Sequence, residues 1–247
     1  MSIQGQPSAS FEVTHSVEPA EILVAGFSTF GLAGLTAVDY LANQLDMDAT
    51  GYVTAAELPA ITPFEDGRPR HHTRLFSRKS LGLSVLVNEL FVPVWAADPF
   101  AEAILEWAGA QGVEEVVILS GVPVPHGPDE HKVFYVATDD YRDRRLPAGS
   151  IPPMAGGFLD GINASLVQQG MDTDLKVCVY ITPVHAQAPD VEAAIRLVEV
   201  IDTVYDIEID VTELEAFAGE VQEYYRDLAE RVEAAEPAIR PDDRMYM

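Results

Sequence analysis

Three short runs rich in consecutive apolar residues constrain the fold of this chain most strongly. They are Ile22–Phe27, 115–120 and 175–182. Runs without a regular polar alternation are typical of central parallel strands that helices cover on both faces. Segments with helical spacing separate these runs along the chain: 32–45, 98–111, 157–169 and 191–205. The alternation predicts an α/β fold with a mainly parallel central sheet flanked by helices.

Two helices have recognisable start signals. Asp98 and Pro99 predict the start of one, with Asp98 as the cap and the proline at the first position, where no amide donor is needed. Thr212 predicts the start of a last, long helix, because its hydroxyl and the Glu215 side chain can satisfy each other's backbone amides.

An apolar stripe follows the last helix at three- and four-residue spacing: Leu214, Phe217, Val221, Tyr224, Leu228 and Val232. Such a stripe packs either on its own domain or in a helical seam between subunits. We therefore expect a loose N-terminal lead at 1–20, an α/β core domain at 21–210, this C-terminal helix at 211–236 and a flexible tail at 237–247.

The chain is strongly acidic, with 40 Asp and Glu against 15 Lys and Arg and a formal net charge of -25. This charge repels nucleic acid phosphates and anionic membrane surfaces, so neither is an expected partner. Only 3 of the basic residues are lysines, although 48% of the chain is hydrophobic. This composition suits a salt-adapted cell, where molar salt screens charges within roughly 3 Å. An acidic protein of a low-salt cell is the alternative.

The cellular compartment is indicated by three features. The single cysteine, Cys178, cannot form an internal disulfide, which favours a reducing compartment. Residues 1–10 have neither the basic start nor the apolar stretch of a secretory signal. No run approaches the roughly 18 apolar residues that a membrane helix needs. We therefore expect a cytoplasmic protein.

Residues 46–57 nearly fit the calcium-binding loop of an EF-hand, with oxygen donors that include Asp46, Asp48 and Glu57. An EF-hand also needs an exiting helix, which Pro59 disfavours. The segment is either a calcium site or a turn in an acid-rich protein. We favour the turn and expect neither a metal nor a cofactor.

Gly26, Gly31 and Gly34 lie between the first strand and its helix, where glycine-rich turns can cradle phosphates. Their spacing fits neither a dinucleotide-binding nor a nucleoside triphosphate-binding loop. A tight turn with close helix packing is the favoured interpretation. Gly156 and Gly157, at a later helix start, give the same weak signal.

The remaining reactive residues form no recognisable catalytic motif. His71 and His72 are adjacent, and adjacent side chains point apart on a strand, so they make a poor metal pair. They lie in a basic segment, 68–79, that could meet acidic partners or a sister subunit, or could simply be solvated. Ser120 lacks a nucleophile elbow, and Cys178 has no basic activator nearby in sequence. We expect no catalytic residues.

The end of the chain is the most specific candidate site. Met245, Tyr246 and Met247 present an apolar side chain, a penultimate tyrosine and a terminal carboxylate on the tail. Tyrosine and methionine are frequent interface residues, and a terminal carboxylate can be captured by backbone amides or a lysine. We expect these three residues to bind a protein partner.

This ending resembles the hydrophobic-tyrosine-any motif with which proteasome activators and assembly chaperones enter pockets between neighbouring α-subunits of the proteasome ring. The order of five further motifs resembles the archaeal branch of the proteasome assembly chaperone family, here with a haloarchaeal composition. The motifs are 22–27, 31–34, 64–68, 118–123 and 157–163. The resemblance extends over about residues 22–206.

The resemblance implies a phosphorylase- or hydrolase-like α/β fold, a homo-oligomer and no established catalytic residue. It also implies that Tyr246 is an aromatic anchor, that Met245 is an apolar contact and that the Met247 carboxylate meets a lysine of the proteasome α-subunit. We therefore expect a non-enzymatic proteasome assembly chaperone or activator-like adaptor. The alternative is an enzyme for a nucleoside or phosphate on the same fold, with a pocket near the glycine turns.

Overall fold

The computed structural model describes residues 9–124, 131–147, 149–185 and 189–220. The strands are β1 (Ser10–His15), β2 (Ile22–Phe27), β3 (Asp48–Ala56), β4 (Phe64–Glu65), β5 (Arg68–Pro69), β6 (Thr73–Arg78), β7 (Leu83–Asn88), β8 (Glu115–Val122), β9 (Phe134–Ala137) and β10 (Lys176–Pro183). The helices are α1 (Ala33–Gln44), α2 (Val94–Ala110), α3 (Asp139–Arg145), α4 (Gly161–Gly170), α5 (Val191–Tyr205) and α6, which is described over 212–220.

Eight strands form one mixed sheet in the order β1-β3-β6-β7-β2-β8-β10-β9. Strands β7, β2, β8 and β10 are parallel, whereas β1, β3 and β6 on one side and β9 on the other pair antiparallel. The α/β prediction is confirmed, but the sheet is parallel only at its centre. Only residues 79–82 connect β6 to β7, and a parallel crossover needs about a dozen residues or more. These two strands therefore have to run antiparallel.

The outer strands β1 and β3 correct two expectations. Ser10–His15 lies within the segment expected to be a loose lead, yet it pairs with residues 51–56 of β3 and alternates exposed with partly buried residues. Most of the segment that resembles an EF-hand loop is β3 itself, which is paired on both sides. Its threonines, tyrosine and valine favour a strand. The segment is therefore neither a calcium loop nor a turn.

Helices cover both faces of the sheet. On one face α1 packs beside α5, where Leu41 and Leu197 are fully buried. On the other face α2 packs beside α4, where Ile104 and Leu166 are buried. Within the described part of the chain, no helix is both long enough and apolar enough to cross a membrane. The sheet is thus the middle layer of three, with an apolar core on each side of it.

Two helices begin elsewhere than the sequence predicts. Helix α2 begins at Val94, so Asp98 does not cap it and Pro99 lies inside it. The Asp98 carboxylate instead accepts a 2.6 Å hydrogen bond from the Ser165 hydroxyl of α4, which ties the two helices together. Helix α4 begins at Gly161, later than the predicted residue 157. The prediction for α2 failed because the helix accommodates Pro99 in its interior, where the ring costs a backbone hydrogen bond that a first helical position would have spared.

Helix α6 begins at Thr212, the residue from which the sequence predicts it, but a different side chain caps this end. The Thr212 amide donates to the Asp210 carboxylate at 2.9 Å, so Asp210 is the residue that caps this end. Leu214 and Ala218 are buried against the α/β core of this chain. This is the first of the two alternatives for the apolar stripe, packing on its own domain. The structure describes α6 to residue 220, and its predicted extension to 236 lies outside the described residues.

A buried carboxylate lies at the amino edge of the parallel strands. Glu115, at the start of β8, is 1% exposed and accepts hydrogen bonds from Arg145 at 3.0 Å and from the Tyr205 hydroxyl at 2.9 Å. The Tyr141 hydroxyl lies 3.0 Å from that of Tyr205 and 3.1 Å from that of Tyr180. Burial raises the pKa of all three tyrosines. The pairing with arginine compensates for burying the Glu115 charge, and it joins β8, α3 and α5.

Helix α1 contacts the sheet through two glycines. A β-carbon on Gly34 would overlap the carbonyl oxygen of Leu119 in β8, and one on Gly26 in β2 would overlap the carbonyl oxygen of Gly34. Gly31, in the preceding turn, has a φ of 64°, which a side chain disfavours. The interpretation of these glycines as a tight turn with close helix packing is confirmed.

We expect Gly34→Ala to lower the free energy of unfolding by about 1–3 kcal/mol, because the new methyl group overlaps a backbone atom that cannot turn aside. The control is Gly109→Ala in α2, where no atom lies within 4 Å of the added carbon. That change should be neutral or stabilise by up to about 1 kcal/mol. Urea unfolding in molar salt measures both, and equal effects would contradict the packing explanation.

Candidate functional site

A cavity of about 630 Å³ lies at the carboxyl edge of the parallel strands. Phe27, Asn88 and Ser120, at or near the ends of β2, β7 and β8, form its floor. Helix α1 follows β2 on one face of the sheet, whereas α2 follows β7 on the other. Neighbouring parallel strands whose connections leave to opposite faces open a crevice, which is the usual ligand site of such sheets.

Three connecting segments form the walls of the cavity. They are the turn 28–32 before α1, residues 90–94 at the start of α2, and residues 160–163 at the start of α4. The Asn88 side chain fixes the second of these, because its amide nitrogen donates to the Leu90 carbonyl at 2.7 Å while its oxygen accepts from Thr73 at 2.6 Å. The cavity is therefore built from elements that a rigid sheet holds in place.

Two polar atoms in the cavity walls have no hydrogen-bond partner within the described part of the chain. They are the Thr29 hydroxyl and the side-chain oxygen of Asn163, and both atoms are buried. The Asn163 amide nitrogen donates to the Ser120 hydroxyl at 2.8 Å, which fixes the orientation of the carboxamide. An unsatisfied buried polar group costs about 1–3 kcal/mol. Each of these two atoms has less than 1 Å² of accessible surface, so a group bound in the open cavity does not reach them.

Apolar side chains surround the mouth of the cavity. Phe91 is 68% exposed and Val94 is 78% exposed, and Phe30 and Leu32 on the opposite wall are also exposed. We call these four residues the apolar rim. Phe158, two residues before the lining residue Asp160, is fully exposed as well. Large apolar side chains gathered at one place on a surface indicate a contact site.

The charge of the cavity is small and negative. Asp160 is the only charged residue among the described residues that line it. The amides at the start of α4 would favour an anion, but this carboxylate opposes one at the same place. The site therefore suits uncharged groups better than phosphates.

Asp190 anchors the turn that forms one wall. Its amide donates to the Gly31 carbonyl at 2.8 Å, and its carboxylate accepts from the amides of Ala193 and His185 at 2.9 and 2.8 Å. The His185 ring lies 2.9 Å from the same carboxylate. Burial alone would raise the pKa of Asp190, but these hydrogen bonds outweigh it and the pKa is lowered. Asp190 thus caps α5 and ties that helix to the cavity wall.

The structure places other predicted residues away from this cavity. His71 stacks on Tyr52, with ring centroids 3.7 Å apart, whereas the His72 ring contacts Thr73, so the two histidines do point apart. Within the basic segment, several side chains pair with carboxylates of the same chain: Arg70 with Glu65 and Glu89, Arg74 with Asp39 and Glu89, and Lys79 with Glu18. These ion pairs balance the charges of Arg70, Arg74 and Lys79 within the chain, although the buried Nε atoms of Arg70 and Arg74 have no described hydrogen-bond partner.

The remaining candidates divide into buried, exposed and undescribed residues. Cys178 is buried in β10, and burial raises the pKa of its thiol, as a structural thiol requires. Gly156 and Gly157 are exposed and do not line the cavity. Met245, Tyr246 and Met247 lie outside the described residues.

Sequence reasoning missed the polar residues of the cavity. Asn88 and Ser120 each follow a run of apolar strand residues, and the carboxyl ends of parallel strands meet at one edge. A polar residue directly after an apolar strand run was therefore the signal that could have identified Asn88 and Ser120. Thr29 lies in the glycine turn beside which the alternative function places a pocket, and Asn163 ends one of the motifs that resemble the assembly chaperone family, but neither residue was singled out.

A family model for the PAC2 family matches residues 23–229. The chain belongs to the PAC2 family. The resemblance to proteasome assembly chaperones that the sequence motifs suggested is thus confirmed at the level of this family and its fold. No curated protein matches the sequence.

Solved structures of PAC2-like proteins share this fold. Pyrococcus furiosus PbaA, an archaeal homolog of proteasome-assembly chaperone, superposes with a TM-score of 0.81 at 24% identity over 91% of this chain and 94% of its own. Pyrococcus furiosus PbaB, an archaeal proteasome activator, gives 0.77 at 18% identity over 90% and 99%. A PAC2 family protein from Streptomyces avermitilis gives 0.64 at 20% identity over 85% and 96%. At these identities the likeness establishes the fold alone.

We expect Asp190→Ala in this PAC2 chain to lower the free energy of unfolding at pH 7 by about 1–2 kcal/mol, because α5 loses its cap. The folded-state pKa of Asp190 is lowered, so its contribution is present above the unfolded pKa of about 3.9 and is lost as the pH falls through the folded value. The difference from wild type should therefore shrink towards pH 3.

Asp190→Asn is the matched control, since an amide oxygen can still accept from Ala193 without the charge. Urea unfolding at pH 7, 5 and 3 measures all three proteins. A difference between wild type and Asp190→Ala that stays constant over this range would show that the carboxylate charge plays no part.

Proposed function

We propose that this protein is a non-enzymatic proteasome assembly chaperone or activator-like adaptor in the cytoplasm of a haloarchaeal cell. The observation on which this rests is the PAC2 fold, shared over about nine-tenths of the chain with PbaA and PbaB. Those two relatives are described as a homolog of a proteasome-assembly chaperone and a proteasome activator. The acidic, lysine-poor composition supports the salt-adapted host.

In this proposal the tail is the docking element. Tyr246 enters a pocket between proteasome α-subunits, Met245 adds apolar contact, and the Met247 carboxylate pairs with a lysine of the pocket. A three-residue contact is small, so tight binding needs several tails on one particle. The proposal therefore includes a homo-oligomer.

The apolar rim supports this self-association. Phe91 and Val94 together present apolar area that a lone protomer leaves in water. Burying it against a second copy removes that area from water, and molar salt strengthens such burial. A surface of like negative charge would oppose association at low salt, but screening at high salt removes most of this repulsion.

Removing residues 245–247 should abolish binding to archaeal proteasome α-subunits, measured with the α-subunits immobilised on a sensor surface at molar salt.

Tyr246→Ala should weaken binding more than amidation of the Met247 carboxylate, because salt screens the ion pair while it strengthens apolar burial. Val17→Ser, an exposed valine outside the tail, is the control and should bind like wild type. Undiminished binding by the truncated chain would refute tail docking, and absent binding by wild type would refute the function itself.

We expect the double variant Phe91→Ser, Val94→Ser to lower the particle mass measured by light scattering at molar salt, towards that of a single chain of 26.9 kDa. The control is Val17→Ser, an exposed valine that does not line the cavity. A mass unchanged by the double variant would remove the apolar rim from the interface. A wild-type mass of one chain would refute the homo-oligomer.

The alternative, an enzyme for a nucleoside or phosphate on the same fold, is favoured by one observation, the cavity at the carboxyl edge. Its described lining residues include no histidine, lysine or cysteine that could act as a base or nucleophile. Turnover would have to rest on a hydroxyl such as that of Ser28 or Ser120, or on the Asp160 carboxylate. A screen for hydrolysis or phosphorolysis of nucleosides tests this alternative directly.

A further inference from the structure

We infer that the cavity at the carboxyl edge receives the Phe158 side chain of a second copy of this chain, while its own Phe158 enters the cavity of that copy. This pairing rests on the proposed function, which includes a homo-oligomer, and it assigns the contact that joins two chains. Its basis is a fully exposed phenylalanine, an apolar cavity beside it and the low charge of the cavity that would receive it.

Phe158 is held outward by a short segment that is attached at both ends. Before it, the Met154 amide donates to the Tyr135 carbonyl of β9 at 2.9 Å. After it, Leu159 packs against the core that α2 and α4 cover. Gly157, the residue directly before Phe158, has a φ of 153°, where a side chain would be strained. The backbone itself therefore presents Phe158 to the surroundings of the molecule.

A single protomer leaves this side chain entirely in water. Phe158 is the most exposed of the large hydrophobic side chains in the described part of the chain. Its preceding neighbours, Gly156 and Gly157, have no side chains that could shelter it. Phenylalanine is among the residues that gain most when they are buried. Phe158 is thus poised to be buried by a partner.

The cavity has the size and the lining that a phenyl ring needs. It has a volume of about 630 Å³, with Phe27 in its floor and with Phe30 and Phe91 on opposite walls. Aromatic rings favour edge-to-face or offset contacts, and a ring that enters between these walls can make them. A phenyl ring also needs no hydrogen bond, so it suits a cavity whose unpartnered polar atoms are out of reach.

The positions of Phe158 and the cavity indicate a two-fold pair. Phe158 lies two residues before Asp160, and Asp160 and Gly161 line the cavity, so both features belong to one face of the molecule. When a projecting side chain and its receptor share a face, a two-fold axis between them brings each side chain to the receptor of the other copy. The contact then forms twice and closes at two chains. A larger particle would use a second surface.

Charge favours self-contact at this face over contact elsewhere. Two copies with a net charge of -25 each repel over most of their surfaces. At the cavity, Asp160 is the only charged residue among the described lining residues. Few like charges therefore meet, and molar salt screens them while it strengthens apolar burial. A basic partner would instead gain more on the acidic surfaces outside the cavity.

The first experiment measures particle mass by light scattering at molar salt over a range of protein concentrations. Phe158→Ala should raise the dissociation constant of the pair about 100-fold or more, because one substitution removes two buried phenyl rings from the pair. Phe158→Leu, which keeps an apolar side chain, should recover most of the association. Val17→Ala, at an exposed valine that does not line the cavity, is the control and should associate like wild type. Circular dichroism checks that each variant is folded.

The second experiment identifies the contact by disulfide formation between two different variants. Chains with Phe158→Cys are mixed with chains with Val94→Cys and oxidised, and the native Cys178 is buried and inert. The mixed pair keeps one phenylalanine contact, which the Val94→Cys chain supplies. A disulfide needs β-carbons within about 4.5 Å, so the mixture should give linked pairs and either variant alone should give few. Val17→Cys mixed with Phe158→Cys is the control and should give none.

Several outcomes would overturn the pairing. One is a wild-type oligomer whose mass Phe158→Ala leaves unchanged, which would still allow the homo-oligomer of the proposed function. Another is efficient disulfide formation by Phe158→Cys alone, which would place Phe158 against its own symmetry copy. A third is that a chain with both cysteine substitutions links into more than two chains, which would exclude a two-fold contact. A wild-type protein that stays monomeric would overturn both the pairing and the homo-oligomer.

Binding to proteasome α-subunits, measured in parallel, separates the pairing from the proposed function. Phe158→Ala keeps its tail, so it should still bind α-subunits, but more weakly because fewer tails act together. Wild-type protein that pairs through Phe158 and binds no α-subunit would refute the proposed function and leave the pairing intact.

Discussion

The contact between α1 and the sheet, made at two glycines, sets the position of everything at the carboxyl edge. Gly34 lies against the backbone of β8 and Gly26 lies against the backbone of α1, with no side chain between them. The turn before α1 is therefore held directly over the ends of β2 and β8. The Asp190 amide bonds to that turn, so α5 is fixed by the same contact. If larger side chains separated α1 from the sheet, the turn could shift whenever those side chains changed conformation.

The two edges of the parallel strands have opposite character. At the amino edge Glu115, two arginines and three tyrosines fill the space between β8, α3 and α5 with satisfied polar groups. At the carboxyl edge the polar groups are few and two of them have no described partner. Buried ion pairs are screened by salt much less than surface pairs. The amino edge can thus remain ionic at high salt, while the carboxyl edge remains available for contact.

Local patterns predicted the centre of the molecule and, in the alternative function, a pocket near the glycine turn, but neither the margins of the sheet nor the polar residues of the cavity. The apolar runs of β2, β8 and β10 and the stripes of α1 and α5 are visible because burial on both sides, or on one stripe, requires them. Helix α3 was missed because Tyr141 is its only apolar side chain, and β1 because its six residues are mostly polar. The cavity joins Thr29, Asn88, Ser120 and Asn163 from separate segments. No local window of sequence contains such a set.

The strand order affects how the chain can fold during synthesis. Strands β1, β3, β6, β7 and β2 are complete once residue 88 has been made, and they are neighbours, so five of the eight strands can pair early. Strand β8 then adds to β2, but its other neighbour, β10, ends only at residue 183. Until the ribosome has released that segment, β8 presents an apolar strand edge without a partner. This interval is when the nascent chain is most prone to pair with the wrong strand.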